Sequence, residues 1–413
     1  MASEFIWPPF TQTRTAPESI RIMRGEGAVL YPEEGPPLLD LISSWWVNLH
    51  GHAHPHIAQA IAEQARTLEH VIFAGFSHAP AEKLAERLCS LTGLDRMFFS
   101  DNGSTSVEVA LKMALQFFQN AGVPRKRLLA LEGGYHGDTF GAMAVGHSSG
   151  FYGPFQHLLF EVDVMPFPHD PDHTLQWLQT YLQEHGDHLA AVILEPLVQG
   201  ASGMRMYPPT FLEVVCDQVH QAGCLVILDE VMTGFYRTGT LFAFQHTEIL
   251  PDFLCLSKGI TGGFMPMGAT LTIEQVFRQF EGESFQMAFA HGHSYTANPL
   301  SCAAALASLD LLTSAETLVN IRRIEQQHHG FLQTLQQRPG MMNPRVQGTI
   351  LAFEWQGSGA YGSQSSLNLR QAFLEEGLLL RPLGNTIYLL PPYCITPEQL
   401  ERAYQSILET LTT

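Results

Sequence analysis

Four short apolar runs divide the first two thirds of the chain. They are RLLAL at 127–131, AAVILEPL at 190–197, CLVILDEV at 224–231 and DFLCLSK at 252–258. Runs of this length without polar alternation are typical of strands that are covered on both faces. Amphipathic helical segments separate the runs, for example FLEVVCDQVHQAG between the second and the third. The pattern therefore predicts an α/β fold, in which helices cover a mostly parallel sheet.

Helical periodicity and turn signals place the remaining elements. Apolar residues recur three or four positions apart from about Pro55, and a second amphipathic helix begins near Ser104. The first ~40 residues look irregular, apart from a hairpin in which GAVLYPEEGPPLLDLI alternates around a Gly/Pro-rich turn. Beyond about residue 310 the sequence predicts a polar helix at roughly 314–337, a strand at TILAFEW, a helix near 366–376 and the segment LLLRPLGNTIYLLPPY.

The different pattern of elements beyond about residue 310 predicts two domains. Residues 51–312 would form a large domain around the parallel sheet. Residues 313–413 would form a smaller α+β domain, and residues 1–50 would supply its N-terminal part.

Composition narrows the class of partner. The formal net charge is −18, and so acidic a chain repels nucleic-acid phosphates and anionic lipid. No apolar run is long enough to span a membrane, and the first residues lack the pattern of a secretory signal. The six cysteines have neither disulfide nor metal spacing. We expect a cytoplasmic protein that binds neither nucleic acid nor membrane and holds no metal.

Polar residues follow two of the apolar runs at the point where catalytic side chains gather in α/β sheets. Asp229 ends one run and Lys258 ends the next. The carboxylate could hold a metal, support the fold or pair with a cationic ring. A lysine beside flexible glycines at a strand end could act as a nucleophilic amine, or it could be an ordinary surface lysine.

Two further segments complete a possible binding site. Gly103 and Ser104 open an amphipathic helix, whose free N–H groups could hold a phosphate or could simply be capped. In GGYHGDT, Tyr135 could stack on an aromatic ligand, while His136 and Asp138 could form hydrogen bonds; a buried Tyr–Asp pair is the alternative. A phosphate site, an aromatic face, an acid and an amine together favour pyridoxal phosphate over other ligands.

LDEVMTGFYRTG followed by PDFLCLSKGITGG resembles the characteristic region of the class III aminotransferases. The resemblance implies a pyridoxal-phosphate-dependent transferase of fold type I, in which Lys258 holds the cofactor as a Schiff base and Asp229 pairs with its pyridine nitrogen. It also implies that Gly103 and Ser104 bind the phosphate and that Tyr135 stacks on the ring. In HGHSYT, Ser294 would reach the phosphate from the other subunit of a homodimer, and Gly292 would contact substrate.

WPPFTQ, LLDLISSWWVNLHGHAHP, EPLVQGASGMRMYPP and LRPLGNTIYLLPPY are similar to the members of this family that aminate 8-amino-7-oxononanoate in biotin synthesis. The similarity implies that Trp45 and Trp46 line the acceptor channel and that Arg381 binds its carboxylate. A core tryptophan pair and a structural ion pair of Arg381 are the alternatives. Two residues depart from the common pattern. Phe10 stands where a tyrosine contacts the amino donor, and His293 replaces a proline.

The resemblance implies a ping-pong transamination with S-adenosylmethionine as the donor. Relatives that share these features use lysine instead, so that donor stays an alternative. The chain could also be an aminotransferase for a different ω-amino acid, a racemase or aminomutase on the same fold, or a binding protein without activity.

Overall fold

A seven-stranded sheet lies at the centre of the protein, in a computed structural model that describes residues 5–146 and 152–412. All four predicted runs form strands of this sheet, which confirms the α/β prediction. Neighbouring strands are parallel except Gly268–Thr272, which pairs antiparallel with the strand on either side. From one edge to the other the strands are Arg96–Ser100, Gly268–Thr272, Phe253–Leu256, Leu225–Asp229, Leu189–Leu194, Arg127–Leu131 and Asp163–Met165.

The strands bury both of their faces, as their unbroken apolar sequences require. Successive side chains of a strand point to opposite faces. Ile227 and Phe253 accordingly pack in the cluster that contains the Gly103–Asn120 helix. Leu228 and Leu254 pack in the larger cluster on the other face. The sheet is thus held between two apolar layers and has a fixed carboxyl edge.

The helices agree with the predicted periodicities near Pro55, near Ser104, at about 314–337 and at about 366–376. Several begin with proline in the first turn, where its missing N–H is not needed. The α-helices are Pro55–Thr67, Ala79–Thr92, Gly103–Asn120, Phe140–Val145, Pro171–His185, Pro209–Gln221, Glu274–Arg278, Pro299–Leu312, Ala315–Gln336, Gln364–Glu375, Pro397–Thr412 and the distorted Ser43–Trp46. Short 3₁₀ helices occur at Gly153–Leu158, Gly186–His188, Ala243–His246, Lys258–Thr261 and Phe285–Met287.

A second sheet joins the two ends of the chain. The predicted hairpin is confirmed, with Val29 opposite Leu39. The prediction of irregular structure is wrong at Ile22–Glu26. This strand pairs antiparallel with Val29–Pro32, because the chain reverses in a tight turn at Gly27 and Ala28, where Gly27 adopts a φ of 55°. Near the C-terminus, a short strand pairs with the hairpin in parallel. The strand order is Ile22–Glu26, Val29–Pro32, Leu38–Asp40 and Leu378–Leu379.

The remaining strands form two small antiparallel sheets. Met341–Gln347, Ile350–Trp355 and Thr386–Leu389 form one, which confirms the strand predicted at TILAFEW. Val198–Gln199 and Arg205–Met206 form the other. The domain boundaries at 50/51 and 312/313 stay predictions.

Within the described ranges, no single helix is both long and apolar enough to cross a membrane. The Pro299–Leu312 and Ala315–Gln336 helices reach the required length and hydropathy only as a pair, and they are bent by 69° relative to each other.

His328 links three elements of the C-terminal region. Its ring is fully buried in the Ala315–Gln336 helix. Nε2 lies 3.1 Å from the carbonyl oxygen of Thr349, so it donates there, and Nδ1 accepts the hydroxyl of Tyr404 at 2.7 Å. Because burial disfavours the charged imidazolium, the pKa of His328 is lowered to about 3.

We expect this buried ring to make the protein less stable in mild acid. Between about pH 6.5 and pH 3, the unfolded chain binds a proton at His328 that the folded chain does not, so the free energy of unfolding falls as pH falls. The contribution of His328 is at most ~2 kcal/mol between pH 7 and pH 5. His328→Gln should be less stable at pH 7 but lose less stability on acidification, as measured by urea unfolding. The exposed neighbour His329 provides the control, since His329→Gln should keep the wild-type pH dependence. Equal pH dependence in all three proteins would contradict the assignment.

Candidate active site

A cavity of about 700 Å³ opens at the carboxyl edge of the central sheet. Eleven of the residues singled out from the sequence line it, and three do not. Gly292 and Ser294 are exposed, His293 is half-buried, and all three lie outside the lining. The eleven lining residues are Phe10, Trp45, Trp46, Gly103, Ser104, Tyr135, His136, Asp138, Asp229, Lys258 and Arg381.

Asp229 reaches the cavity because it ends a parallel strand. The strand pairs with Phe253–Leu256 in a register that places Asp229 opposite Cys255. The Asp229 side chain is only 4% exposed, and its Oδ1 accepts the backbone N–H of Val231 at 3.0 Å. Its Oδ2 accepts Nδ1–H of the buried His136 at 2.7 Å. The carboxylate is therefore rigidly held, and it lines the cavity as a binding group would.

Lys258 is not an ordinary surface lysine. It follows the neighbouring strand with a backbone φ of 40°, at the start of the turn Lys258–Thr261. Its Nζ lies 5.1 Å from the centre of the Trp46 ring. Burial lowers the pKa of the amine, and the negative charges of Asp229, Glu195 and Asp138 oppose this effect. A larger fraction of uncharged, nucleophilic amine follows from the lowered pKa.

The start of the Gly103–Asn120 helix forms another wall. The cap of this helix is Asn102, not Ser104, because the Asn102 side chain accepts the N–H of Thr105 at 3.0 Å. Ser104 instead accepts the N–H of Asp138 through its hydroxyl at 3.1 Å. A Cβ on Gly103 would stand 2.8 Å from the Val231 side chain, so glycine is needed for this close approach. The helix start, with its positive dipole end, therefore lies directly against the cavity.

Tyr135 and Glu195 lie on the adjoining wall. The Tyr135 hydroxyl donates to Asp138 at 3.0 Å, as expected for a Tyr–Asp pair, yet the ring also lines the cavity. The carboxylate of Glu195 accepts the N–H groups of Tyr135 and Gly200, each at 3.0 Å. Burial raises the pKa of Glu195 to about 7. Sequence reasoning missed Glu195, although it follows the apolar run AAVIL just as Asp229 follows CLVIL.

The tryptophan pair lies in a strained loop. Ser43, Ser44 and Trp46 have φ of 50°, 61° and 68°, values that residues with side chains rarely adopt. The fully buried Asp40 holds this loop, because it accepts the backbone N–H and hydroxyl of Ser44, both at 2.9 Å. Trp46 is buried and donates to the Tyr388 hydroxyl at 3.1 Å, whereas Trp45 is 37% exposed. Both rings line the cavity. The interpretation as a core pair therefore does not apply to Trp45, and Trp46 is both a buried side chain and a part of the cavity wall. No sequence pattern pointed to Asp40.

The family described as Aminotransferase class-III matches residues 11–411. The chain belongs to this family. It is 52% identical to an adenosylmethionine-8-amino-7-oxononanoate aminotransferase from Synechococcus elongatus, over 98% of each chain. A solved structure of the enzyme with that name from Methanocaldococcus jannaschii has a TM-score of 0.93 and is 36% identical, over 98% of this chain and 97% of the other.

An amine transaminase from an uncultivated Pseudomonas species, solved in its PLP-bound form, is also similar. It has a TM-score of 0.89 and is 30% identical, over 100% of this chain and 99% of the other. The protein is thus a pyridoxal-phosphate-dependent class III aminotransferase of fold type I.

The residues of the cavity fit pyridoxal phosphate. Gly103 and Ser104 line the cavity at the N-terminus of the Gly103–Asn120 helix, where backbone N–H groups and the helix dipole favour an anion. The buried Asp229, which accepts two hydrogen bonds, can face a protonated pyridine nitrogen. Tyr135 offers an aromatic face and Lys258 an amine. When bound, the cofactor supplies an aldehyde that carries the amino group and a ring that withdraws electrons. The chain must hold the ring protonated and move protons at the substrate carbon, and Asp229 and Lys258 are suited to these two tasks.

Covalent trapping tests the assignment of Lys258. The sequence contains four lysines, and Lys83, Lys112 and Lys126 are exposed. Borohydride reduction of the protein supplied with pyridoxal phosphate should therefore label the peptide that contains Lys258, because this amine alone lines the cavity. Lys258→Gln should abolish the label and Lys112→Gln should leave it, as measured by peptide mass spectrometry. A label that persists in Lys258→Gln at the level of the wild type would refute the assignment.

Proposed function

We propose that this aminotransferase converts 8-amino-7-oxononanoate to 7,8-diaminononanoate in biotin synthesis, with S-adenosylmethionine as the amino donor. Two similar proteins carry the name of that enzyme along almost the whole chain. The observation that carries the proposal is a single guanidinium, that of Arg381, which lines an aromatic cavity together with the amine of Lys258. A substrate whose hydrocarbon chain carries one carboxylate and a distant keto group matches this arrangement.

Arg381 is available to a substrate. Its guanidinium lies 4.8 Å above the centre of the Trp45 ring, and its Nη2 donates to the Tyr361 hydroxyl at 2.9 Å. In the part of the chain that the structure describes, none of the ion pairs involves Arg381, so the structural ion pair considered from the sequence is not formed there. A planar guanidinium fixed by stacking can accept a carboxylate as a bidentate fork.

The tryptophan pair supports a long apolar substrate. Lys258 lies over Trp46 and Arg381 lies over Trp45, so aromatic rings line the cavity from the amine to the guanidinium. Among the described residues that line the cavity, these two are the only Lys or Arg residues. A dicarboxylate would leave its second charge against aromatic rings without a partner, at a cost of several kcal/mol. The walls therefore favour a monocarboxylate with a hydrocarbon chain.

In the proposed reaction, donor and acceptor enter the same cavity in turn. In the first half, the buried amine of Lys258 would take a proton from the donor carbon that bears the amino group. In the second half, it would give a proton to the former keto carbon of the acceptor. Asp229, held by His136, keeps a negative charge in place for the protonated pyridine nitrogen throughout both half-reactions. The Tyr135 hydroxyl stays protonated, because burial raises its pKa, so it can donate a hydrogen bond.

The identity of the amino donor is the most specific part of the proposal. Phe10 lines the cavity and packs edge-on against Trp45, with ring centres 5.6 Å apart. This ring cannot offer the hydroxyl that a tyrosine would offer to a donor. Lysine therefore stays the second candidate donor, with the same acceptor.

A single half-reaction distinguishes the donors. Cofactor-loaded enzyme, mixed with S-adenosylmethionine and no acceptor, should lose the visible absorbance of the lysine-bound cofactor, because the amino group is transferred to it. Lysine at the same concentration should cause no loss within the same time. The reverse result would make lysine the donor, and 8-amino-7-oxononanoate should then restore the absorbance. Failure of this acceptor to restore it after either donor would refute the proposed acceptor.

We also propose that the enzyme is a homodimer in which Ser294 and Gly292 complete the site of the other subunit. Both are exposed and lie outside the cavity of their own chain. Tyr295, which follows Ser294 in the chain, is 66% exposed, and Phe285 and Ile72 are 80% and 60% exposed. Exposed aromatic and apolar groups of this size are typical of surfaces that associate.

Mixed dimers test the contribution of Ser294. Lys258→Gln and Ser294→Asp subunits should each form nearly inactive dimers, the second because its carboxylate repels the cofactor phosphate. A dimer with one subunit of each kind should regain activity, because one of its two sites then combines a native Lys258 with a native Ser294. Activity that does not recover in purified mixed dimers would place Ser294 in the site of its own subunit. Mixed dimers of Lys258→Gln with the wild type provide the reference.

Cysteine chemistry supports a proposal for the location of the enzyme. All six cysteines are free, as is usual in a reducing compartment. We therefore propose that the enzyme acts in the cytoplasm.

A further inference from the structure

A second, smaller cavity of about 150 Å³ adjoins the active-site cavity. The two share Phe10, Tyr361 and Arg381 in their linings. The chain around residues 10–17 forms one wall of the smaller cavity, and the Gln364–Glu375 helix forms the other. Arg381 therefore stands at the passage between the two spaces.

A second arginine faces this smaller space. Arg370 lies one helical turn after Ser366, and both residues line the cavity. Its Nε is buried and has no hydrogen-bond partner among the residues that the structure describes. Nor does Arg370 take part in any of the ion pairs within those ranges.

Neither guanidinium group forms an ion pair with a carboxylate of the residues that the structure describes. The pKa of Arg370 is lowered by burial and also by the positive charge of Arg381. The described lining of the smaller cavity contains neither Asp nor Glu. Two like charges that are partly withdrawn from water repel each other, and an unsatisfied buried N–H adds a further penalty. Such an arrangement is stabilised by an anion, and a space of about 150 Å³ admits a single carboxylate group.

We propose that Arg370 and Arg381 together form a two-arginine site for the acceptor carboxylate. Arg381 would hold this carboxylate from the side of the active-site cavity, and Arg370 would contact it from the smaller one. The inference rests on the proposed acceptor, and it makes Arg370 a residue that determines specificity. The amino donor does not depend on this contact, because S-adenosylmethionine carries its carboxylate on the reacting carbon, close to Lys258. The donor leaves as the keto acid before the acceptor enters, and its amino group stays in the active site for transfer to the acceptor.

Steady-state kinetics test the role of Arg370. Arg370→Gln should raise KM for 8-amino-7-oxononanoate about tenfold, the loss expected for one charge-assisted hydrogen bond, and leave kcat within about twofold. KM for the donor should not change. Arg370→Lys keeps the charge but not the fork, so its KM should lie between those of Arg370→Gln and the wild type. The methyl ester of the acceptor should show the same KM with wild type and Arg370→Gln.

Arg402 provides the matched control. It lies on the Pro397–Thr412 helix, is exposed, donates to the carbonyl oxygen of Glu376 at 3.3 Å and lines neither cavity. Arg402→Gln removes the same charge from the same region, so KM for the acceptor should stay at the wild-type value. An equal rise of KM in both variants would show a general effect of net charge and overturn the proposal.

Thermal stability separates binding from a structural role. Removal of Arg370 relieves the repulsion with Arg381, so the Tm of Arg370→Gln should equal or exceed that of the wild type. A lower Tm with an unchanged acceptor KM would show that Arg370 supports the fold instead.

Failure of the proposed acceptor can be recognised separately. If the wild type does not turn over 8-amino-7-oxononanoate, the proposed function is wrong, and calorimetric binding of nonanoate then tests the arginine pair alone. Binding that weakens about tenfold in Arg370→Gln, and not in Arg402→Gln, would retain the carboxylate site. Equal binding of nonanoate by both variants would refute the proposed carboxylate site.

Discussion

The parallel pairing of Leu225–Asp229 with Phe253–Leu256 is the constraint on which the active site depends. It brings a carboxylate and an amine from separate segments to one edge of the sheet. A shift of one residue in this register would turn Asp229 to the opposite face. The apolar side chains on both faces oppose such a shift, because it would also move Leu228 out of the larger cluster and Ile227 out of the smaller one, each into a layer packed around a different side chain. Packing of the sheet thus fixes the distance between the two reacting groups.

The polar residues beneath the site keep this arrangement in one orientation. Asp229 is held by His136 and by a backbone N–H, and Glu195 ties the Tyr135 segment to the Gly200 turn. Asp40 acts in the same way on the strained tryptophan loop. Positive φ values in residues with side chains persist only when surrounding contacts enforce them. The strain at Trp46 is therefore balanced by a buried carboxylate that never contacts a ligand.

The sequence allowed prediction of the features that depend on local pattern. The four buried strands, the helix after Gly103 and the placement of Asp229 and Lys258 at strand ends followed from apolar runs and from the rule for carboxyl edges. Asp40 and Arg370 could not be found in this way, because their roles depend on contacts between distant segments. The Ile22–Glu26 strand was missed for a related reason, since its exposed side chains show no alternation. The roles of the site residues rest on the family resemblance and on their placement.

Chemistry and selectivity lie on different parts of the chain. The amine and the carboxylate belong to the rigid central sheet, whereas Arg381, Arg370 and the segment at 10–17 lie outside it. Changes at the arginine end can therefore alter which acceptor binds without disturbing Lys258. Two guanidinium groups without an ion pair among the described residues reduce stability in the absence of a ligand, and a binding site commonly carries such a penalty. The repulsion is then relieved only when a carboxylate arrives, so part of the binding free energy comes from the free enzyme itself. A neutral acceptor of the same length gains nothing from this relief, so it binds more weakly without any steric barrier.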